Sequence, residues 1–207
     1  NLSWAASPAA DLAQIRIAAA QIAVSGQLRA QAVQLESAST ISSAGTGLVR
    51  AGTLALYAAG DVGSSATPLA IDLQGDASRL SGQVTGAAYI RETSGDLRLE
   101  RLQVAGSASL NTADGRILGA SAAGFADVQA QTLSLAAGAA IGQAGQTGRA
   151  LVIDAGSLSL SSTGAALIEA QRNIILSAAS AGGSGLELKA LSDLRLAGSI
   201  SASGISL

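Results

Sequence analysis

Pairs of apolar residues separated by a single position recur along this chain, and that rhythm limits the open folds more than any other feature. They include Ile15/Ile17, Ile22/Val24, Val33/Leu35, Leu54/Leu56, Leu97/Leu99, Leu133/Leu135, Leu151/Ile153, Ile174/Leu176, Leu194/Leu196 and Ile205/Leu207. Side chains two positions apart project from the same face of a strand. Between the pairs stand turn-forming residues, as in Gly60-Asp61, Ser94-Gly95-Asp96, Asp114-Gly115 and Gly182-Gly183-Ser184-Gly185. Ala18-Ala19-Ala20-Gln21 favours a helix by propensity alone. Propensity is a weak prior, and the flanking pairs Ile15/Ile17 and Ile22/Val24 set a period of two, so strands are expected here as well.

The pairs keep a register. Val33 leads to Leu54, and Leu133 to Ile153, Ile174 and Leu194, by nearly equal steps along the chain. The step is a coil of about twenty residues holding two or three short strands, which predicts an all-β fold of the parallel β-helix (β-solenoid) type. Each coil would bury its apolar face only against its neighbours, with Leu, Ile and Val stacked inward. Ser, Thr, Gln, Arg and Asp would point outward, and Ala and Gly would fill the corners. Residues 1–14, with the only Trp at Trp4 and a break at Ser7-Pro8, read as a lead-in from a preceding coil or cap. Residues 15–207 read as one continuous right-handed β-helix, the hand being a matter of general expectation and of the resemblance described below. The start lacks Met and a basic leader, and the pattern still runs at Ile205-Ser206-Leu207, so a piece of a longer chain is expected.

A longer echo overlies the coils, with 52–99 returning as 131–176. Thr53-Leu54-Ala55-Leu56 returns as Thr132-Leu133-Ser134-Leu135, and Leu69-Ala70-Ile71-Asp72 as Leu151-Val152-Ile153-Asp154. Thr85-Gly86-Ala87-Ala88 returns as Thr163-Gly164-Ala165-Ala166, at nearly the same offset. A repeat of about 79 residues is expected to span about four coils.

Composition narrows the function classes. Apolar residues make up 48% of the chain but aromatics only 2%. A narrow core of stacked aliphatics can do without the large aromatic anchors that a globular core uses. A net charge of −2 leaves no basic footprint, so nucleic acid is not an expected partner. Cys is absent, which excludes disulfides and thiolate metal sites. His is absent too, which removes the usual zinc ligand and the commonest general base. A membrane-spanning helix needs an apolar run of roughly 20 residues. No run here is that long, so no membrane insertion by a helix of this segment is expected.

Little chemistry stands out. Asp72 and Asp154 occupy matching places in the long echo, and Asp61 and Asp96 each follow Gly. Paired carboxylates can hydrolyse glycosides or hold calcium, whereas Asp beside Gly is also ordinary turn chemistry. Asp61 becomes Ala140 in the echo, and Gly182-Gly183-Ser184-Gly185-Leu186-Glu187 carries Glu where a calcium nonapeptide needs Asp. Ser and Thr are plentiful but lack a His base, and Leu186 stands where Ser-x-x-Lys before Lys189 would need Ser. The expectation is no enzyme, no cofactor and no metal. The densest charge cluster, Arg91, Glu92, Arg98, Glu100 and Arg101, is a candidate ligand-contact patch for an acidic glycan. Its plainer reading is a set of cross-strand pairs on a solvated face. Asp114-Gly115-Arg116 resembles a short receptor-binding motif but is first a tight-turn signal.

Ala59-Gly60-Asp61-Val62-Gly63, Pro68-Leu69-Ala70-Ile71-Asp72 and Tyr89-Ile90-Arg91-Glu92-Thr93-Ser94-Gly95-Asp96-Leu97 resemble the repeats of filamentous-haemagglutinin-like bacterial adhesins and related β-strand-repeat exoproteins. The resemblance covers most of 30–207. It implies a right-handed β-helical shaft, secretion to the bacterial cell surface, and a part in adhesion or biofilm formation. The implied partners are neighbouring coils of a longer chain or like subunits end to end, with a host receptor or glycan beyond them. One alternative is a self-assembling subunit of an extracellular filament, sheath or matrix, since open coil ends are unpaired edges. A second is a polysaccharide-acting β-helix enzyme.

Overall fold

The computed structural model describes residues 12–143 and 149–207. Among them, nineteen strands run from Leu12–Ala19 to Ile205–Ser206, with no helix. Every ladder is parallel, and the strands wind into a β-solenoid of about 9 coils of roughly 21 residues, as the period-two pairs predict. The first strand begins at Leu12, inside the stretch read as a lead-in; Trp4, Ser7 and Pro8 lie outside the described residues. Ala18–Gln21 forms no helix: one strand closes at Ala19 and the next is Ile22–Val24.

The core is a set of axial rows. One row runs Ile22, Ile41, Val62, Ala88, Ala108, Leu133, Leu158, Leu176, each residue in register with the next. None of these side chains is more than 3% exposed. Burying a Leu, Ile or Val stabilises by about 1.5–3 kcal/mol, so a row of this length is a main source of cohesion between coils.

Corners follow from breaks in the alternation. In the strand Leu48–Ala58, Val49 and Ala51 point inward and so do Leu54 and Leu56, so parity slips by one across Gly52-Thr53. The chain turns there without leaving the ladder. The same step joins Ala30 to Val33, Ala130 to Leu133 and Ala155 to Leu158. Ala stacks on Ala at these corners, in the register pairs Ala30–Ala51 and Ala130–Ala155.

Coil length varies, and this alters the expected stacking. Val33 does pair with Leu54, and Ile174 with Leu194. Leu133, however, pairs with Leu158, while Ile153 stacks on Val128. The long echo is displaced in the same way. Leu54 belongs to a row with Leu80 and Leu99, whereas Leu133 follows Ala88 and Ala108. The intervening coils are unequal: a short one carries Ala88 to Ala108, and a longer one carries Thr53 to Arg79. The echo therefore lands on a different row.

One irregularity shapes the surface. The register shifts where Leu80 and Gly82 meet Leu99 and Leu102, and the extra residue makes a bulge at Glu100-Arg101. Gly82 has φ 138°, and a Cβ there would overlap the Leu56 carbonyl. Arg101 takes φ 54°, the left-handed region, and its side chain is thrown outward.

Candidate functional site

The five residues of the expected charge patch do not form one site. Along Ala88–Glu92 the alternation points Tyr89 and Arg91 outward and Ala88, Ile90 and Glu92 inward. Glu92 is therefore not a surface contact: it is 0% exposed and stacks between Ile71 and Thr112. Arg91 is exposed on its strand. Arg98 lies between Asp96 at 3.3 Å and Asp76 at 3.8 Å. Glu100 approaches Arg79 at 3.9 Å. Arg101 places its guanidinium 4.2 Å from the Phe125 ring centroid, a cation–π contact, and its N–H donates to Ser121 Oγ at 2.9 Å.

The charges run along the axis instead. Among the described residues, eight ion pairs join side chains about one coil apart. They are Arg16–Glu36, Arg50–Asp72, Arg79–Glu100, Arg98–Asp76, Arg116–Asp96, Arg149–Asp127, Arg172–Asp154 and Lys189–Glu169. Where both partners are exposed, as in Arg16–Glu36, such a pair contributes about 0–1 kcal/mol, whereas Asp72 and Asp127 are buried. The regular direction of the pairs matters more, since each one ties a coil to its neighbour. Partial burial of Asp96 opposes ionisation, but hydrogen bonds from Arg116 and the charges of Arg116 and Arg98 outweigh it, holding the carboxyl below its ordinary range. The bond to Asp96 raises Arg116 in turn.

Two buried carboxyl groups anchor backbone. The fully buried Asp127 accepts from the N–H groups of Ser121 at 2.8 Å and Val152 at 2.9 Å, and from Arg149 Nη2 at 2.8 Å. Gly119 leaves room for it, because a Cβ there would meet the carboxylate. Nothing in the pattern before Val128 marks Asp127 as an interior residue, and only the later Arg149 hints at a partner. Glu92 accepts from Leu73 N–H at 3.0 and 3.2 Å and from Ser94 N–H at 3.3 Å, with no arginine on it among the described residues. Burial, aided by the nearby Asp72 charge and opposed by the backbone N–H groups, pushes its carboxyl up to about 8.

The other acidic candidates are committed to the frame. Asp72 accepts from Arg50 Nε at 2.7 Å and Gln74 Nε2 at 2.6 Å, and Asp154 meets Arg172 Nε at 2.7 Å. More than three coils separate Asp72 from Asp154, on the order of 15 Å or more at about 4.8 Å per strand. The carboxyl pairs of glycoside hydrolysis stand about 5–9.5 Å apart. Asp61 Oδ1 accepts from Ala87 N–H at 2.7 Å and Asp114 Oδ1 from Gly95 N–H at 2.9 Å, each bracing the adjacent coil. In Asp114-Gly115-Arg116 the arginine is likewise turned onto Asp96. No group of three acidic ligands suited to a metal ion occurs among the described residues.

Two grooves remain. One, of about 540 Å³, crosses the corner at Gln31, Gly52 and Gln74, where Arg50 and Gln74 both donate to Asp72. The other overlies an outward row, Gln83, Gln103 and Gln129, set in register on adjacent coils. It has a volume of about 390 Å³ and is bordered by Arg172. A recess of about 170 Å³ adjoins it, sharing Gln103 and Gln129 and walled by Arg101, Phe125 and Asp154. Glutamines in this row were legible only as outward polar residues; their alignment depends on unequal coil lengths.

Fold and charge arrangement together define a class: a parallel β-solenoid braced by axial ion pairs. No protein-family model, curated protein or solved structure matches the chain.

Proposed function

We propose that this chain is a stiff shaft segment of a secreted bacterial surface adhesin, serving cell adhesion or biofilm formation by mechanical projection. The observation that carries the mechanical part is the set of ion pairs between neighbouring coils, set around continuous apolar rows. A shaft needs resistance to bending and separation along its axis, and these side chains are spent on that. The resemblance of the repeats over 30–207 to β-strand-repeat exoproteins supports the cell-surface setting.

A second reading is a self-assembling filament subunit, in which like chains stack coil on coil end to end. Leu196 and Ile205 are 50% and 51% exposed, while their partners one coil earlier, Leu176 and Leu186, are 0% and 2%. An apolar coil face of this kind accepts a further coil, from the same chain or from a like subunit. Negative-stain imaging of the purified segment over a concentration series separates the readings. Nine coils at about 4.8 Å give a rod of roughly 43 Å. Discrete rods of that length at every concentration support the shaft; fibres that lengthen with concentration overturn it in favour of the subunit.

A further inference from the structure

We propose that the outward row Gln83, Gln103 and Gln129, flanked by Phe125 beside Gln103 and Gln129, is a binding site for a neutral polysaccharide. The inference goes beyond the shaft reading and does not depend on it. The three side chains are exposed, lie in register on adjacent coils, and make no side-chain hydrogen bond among the described residues. A primary amide both donates and accepts, so each can meet a sugar hydroxyl in either sense. Their spacing, about 4.8 Å from strand to strand, is close to the rise of one ring in an extended polysaccharide.

Phe125 supplies what hydroxyl recognition lacks. It is the only Phe in the chain, is 47% exposed, and is steadied by the Arg101 guanidinium at 4.2 Å. A flat aromatic surface suits the C–H face of a pyranose. The bulge that throws Arg101 outward and the long coil from Leu102 to Val128 that carries Phe125 together build this flank of the groove. The row itself is uncharged; of the charged groups bordering it, Arg172 and Asp154 neutralise each other at 2.7 Å, and the Arg101 guanidinium lies over the Phe125 ring. A peptide is a poorer fit. Gln103 is paired with Gln83 on one side and Gln129 on the other, so no free backbone edge is offered for strand addition.

Native affinity electrophoresis tests the site, with gels containing hydroxyethyl cellulose, galactomannan or, as the acidic comparison, polygalacturonate. The wild-type chain is expected to be retarded in at least one neutral gel. Phe125→Ala and Gln103→Ala/Gln129→Ala are expected to lower the apparent affinity at least tenfold, while Arg195→Ala, on a different strand, leaves it unchanged. Gln103→Glu/Gln129→Glu keeps the stems but loses the donors, and is expected to match the alanine variant; its melting curve checks folding separately. No retardation in either neutral gel, retardation in polygalacturonate alone, or neutral-gel retardation that survives all the groove variants overturns the proposal.

Discussion

Glu92 is the side chain whose environment departs furthest from its sequence context. Arg91-Glu92 reads as a surface charge pair, yet Ile90 is an inward residue, and parity carries Glu92 to the same side two positions on. Its carboxyl caps the N–H of Leu73, where that strand ends. With an ordinary value of 4.5 and a folded value of about 8, Glu92 keeps a proton in the folded chain that the unfolded chain has lost. Stability therefore falls as pH rises from about 4.5 to about 8, by up to about 1.4 kcal/mol per unit, and this contribution levels off above. The nearby Asp72 carboxylate disfavours ionisation of Glu92 further, and Asp72 is itself held by Arg50. Melting temperatures between about pH 5 and 8 are expected to decline for the wild type and to decline much less for Glu92→Gln. A wild-type profile identical to that of the variant would refute the assignment. Asp127 makes the opposite case: Asp127→Ala leaves Arg149 and two backbone N–H groups without their acceptor. It should cost about 3–5 kcal/mol in denaturant unfolding.

At the scale of the strand, one rule accounts for several polar residues inside the core. Ser37, Glu92, Thr112 and Ser162 each occupy the last inward position before a turn. Ser37 Oγ donates to Thr40 O at 2.9 Å, Thr112 Oγ1 to Gly115 O at 2.6 Å, and Ser162 Oγ to Gly164 O at 2.7 Å. Each satisfies a backbone group that the turn would otherwise strand. The strands themselves were legible because inward Leu, Ile and Val alternate with outward polar residues. Corners and coil lengths were not, since a parity slip across Gly52-Thr53 or a bulge at Glu100-Arg101 leaves no mark in local composition. The glutamine groove was hidden for that reason: which outward residues align is decided by turns far from them. The corners make a clear test. Ala130 stacks on Ala155 with only 2% and 0% exposure, so Ala130→Leu should destabilise by about 1–3 kcal/mol in urea unfolding. Leu158→Ala, in the middle of an apolar row, should cost about 2–5 kcal/mol by the same measurement. Little change in either would mean that the rows are loosely packed.

For the whole molecule, cohesion is local along the axis and repeated many times. Each strand pairs about one coil away, so stability is close to a sum of coil terms and contacts between neighbours. An inner coil is held from both sides, an outer one from a single side. The apolar row through Leu133, Leu158 and Leu176 ends on Leu196, and the row through Ala166 and Leu186 ends on Ile205, with both terminal side chains half exposed. Amide hydrogen exchange of the whole chain should therefore be graded. Protection is expected to be greatest in Leu97–Val104, Ser107–Thr112 and Val128–Ala137, which have paired strands on both sides, and to fall steadily through Leu186–Ala190 to Ile205–Ser206. Placing a further apolar coil on that end, whether by extending the chain or by subunit contact, should raise the protection of Leu194–Leu196 and leave Ser107–Thr112 unchanged. Uniform exchange at one rate along the chain would instead mean that the coils unfold as one cooperative unit, with the axial contacts strong enough to forbid fraying.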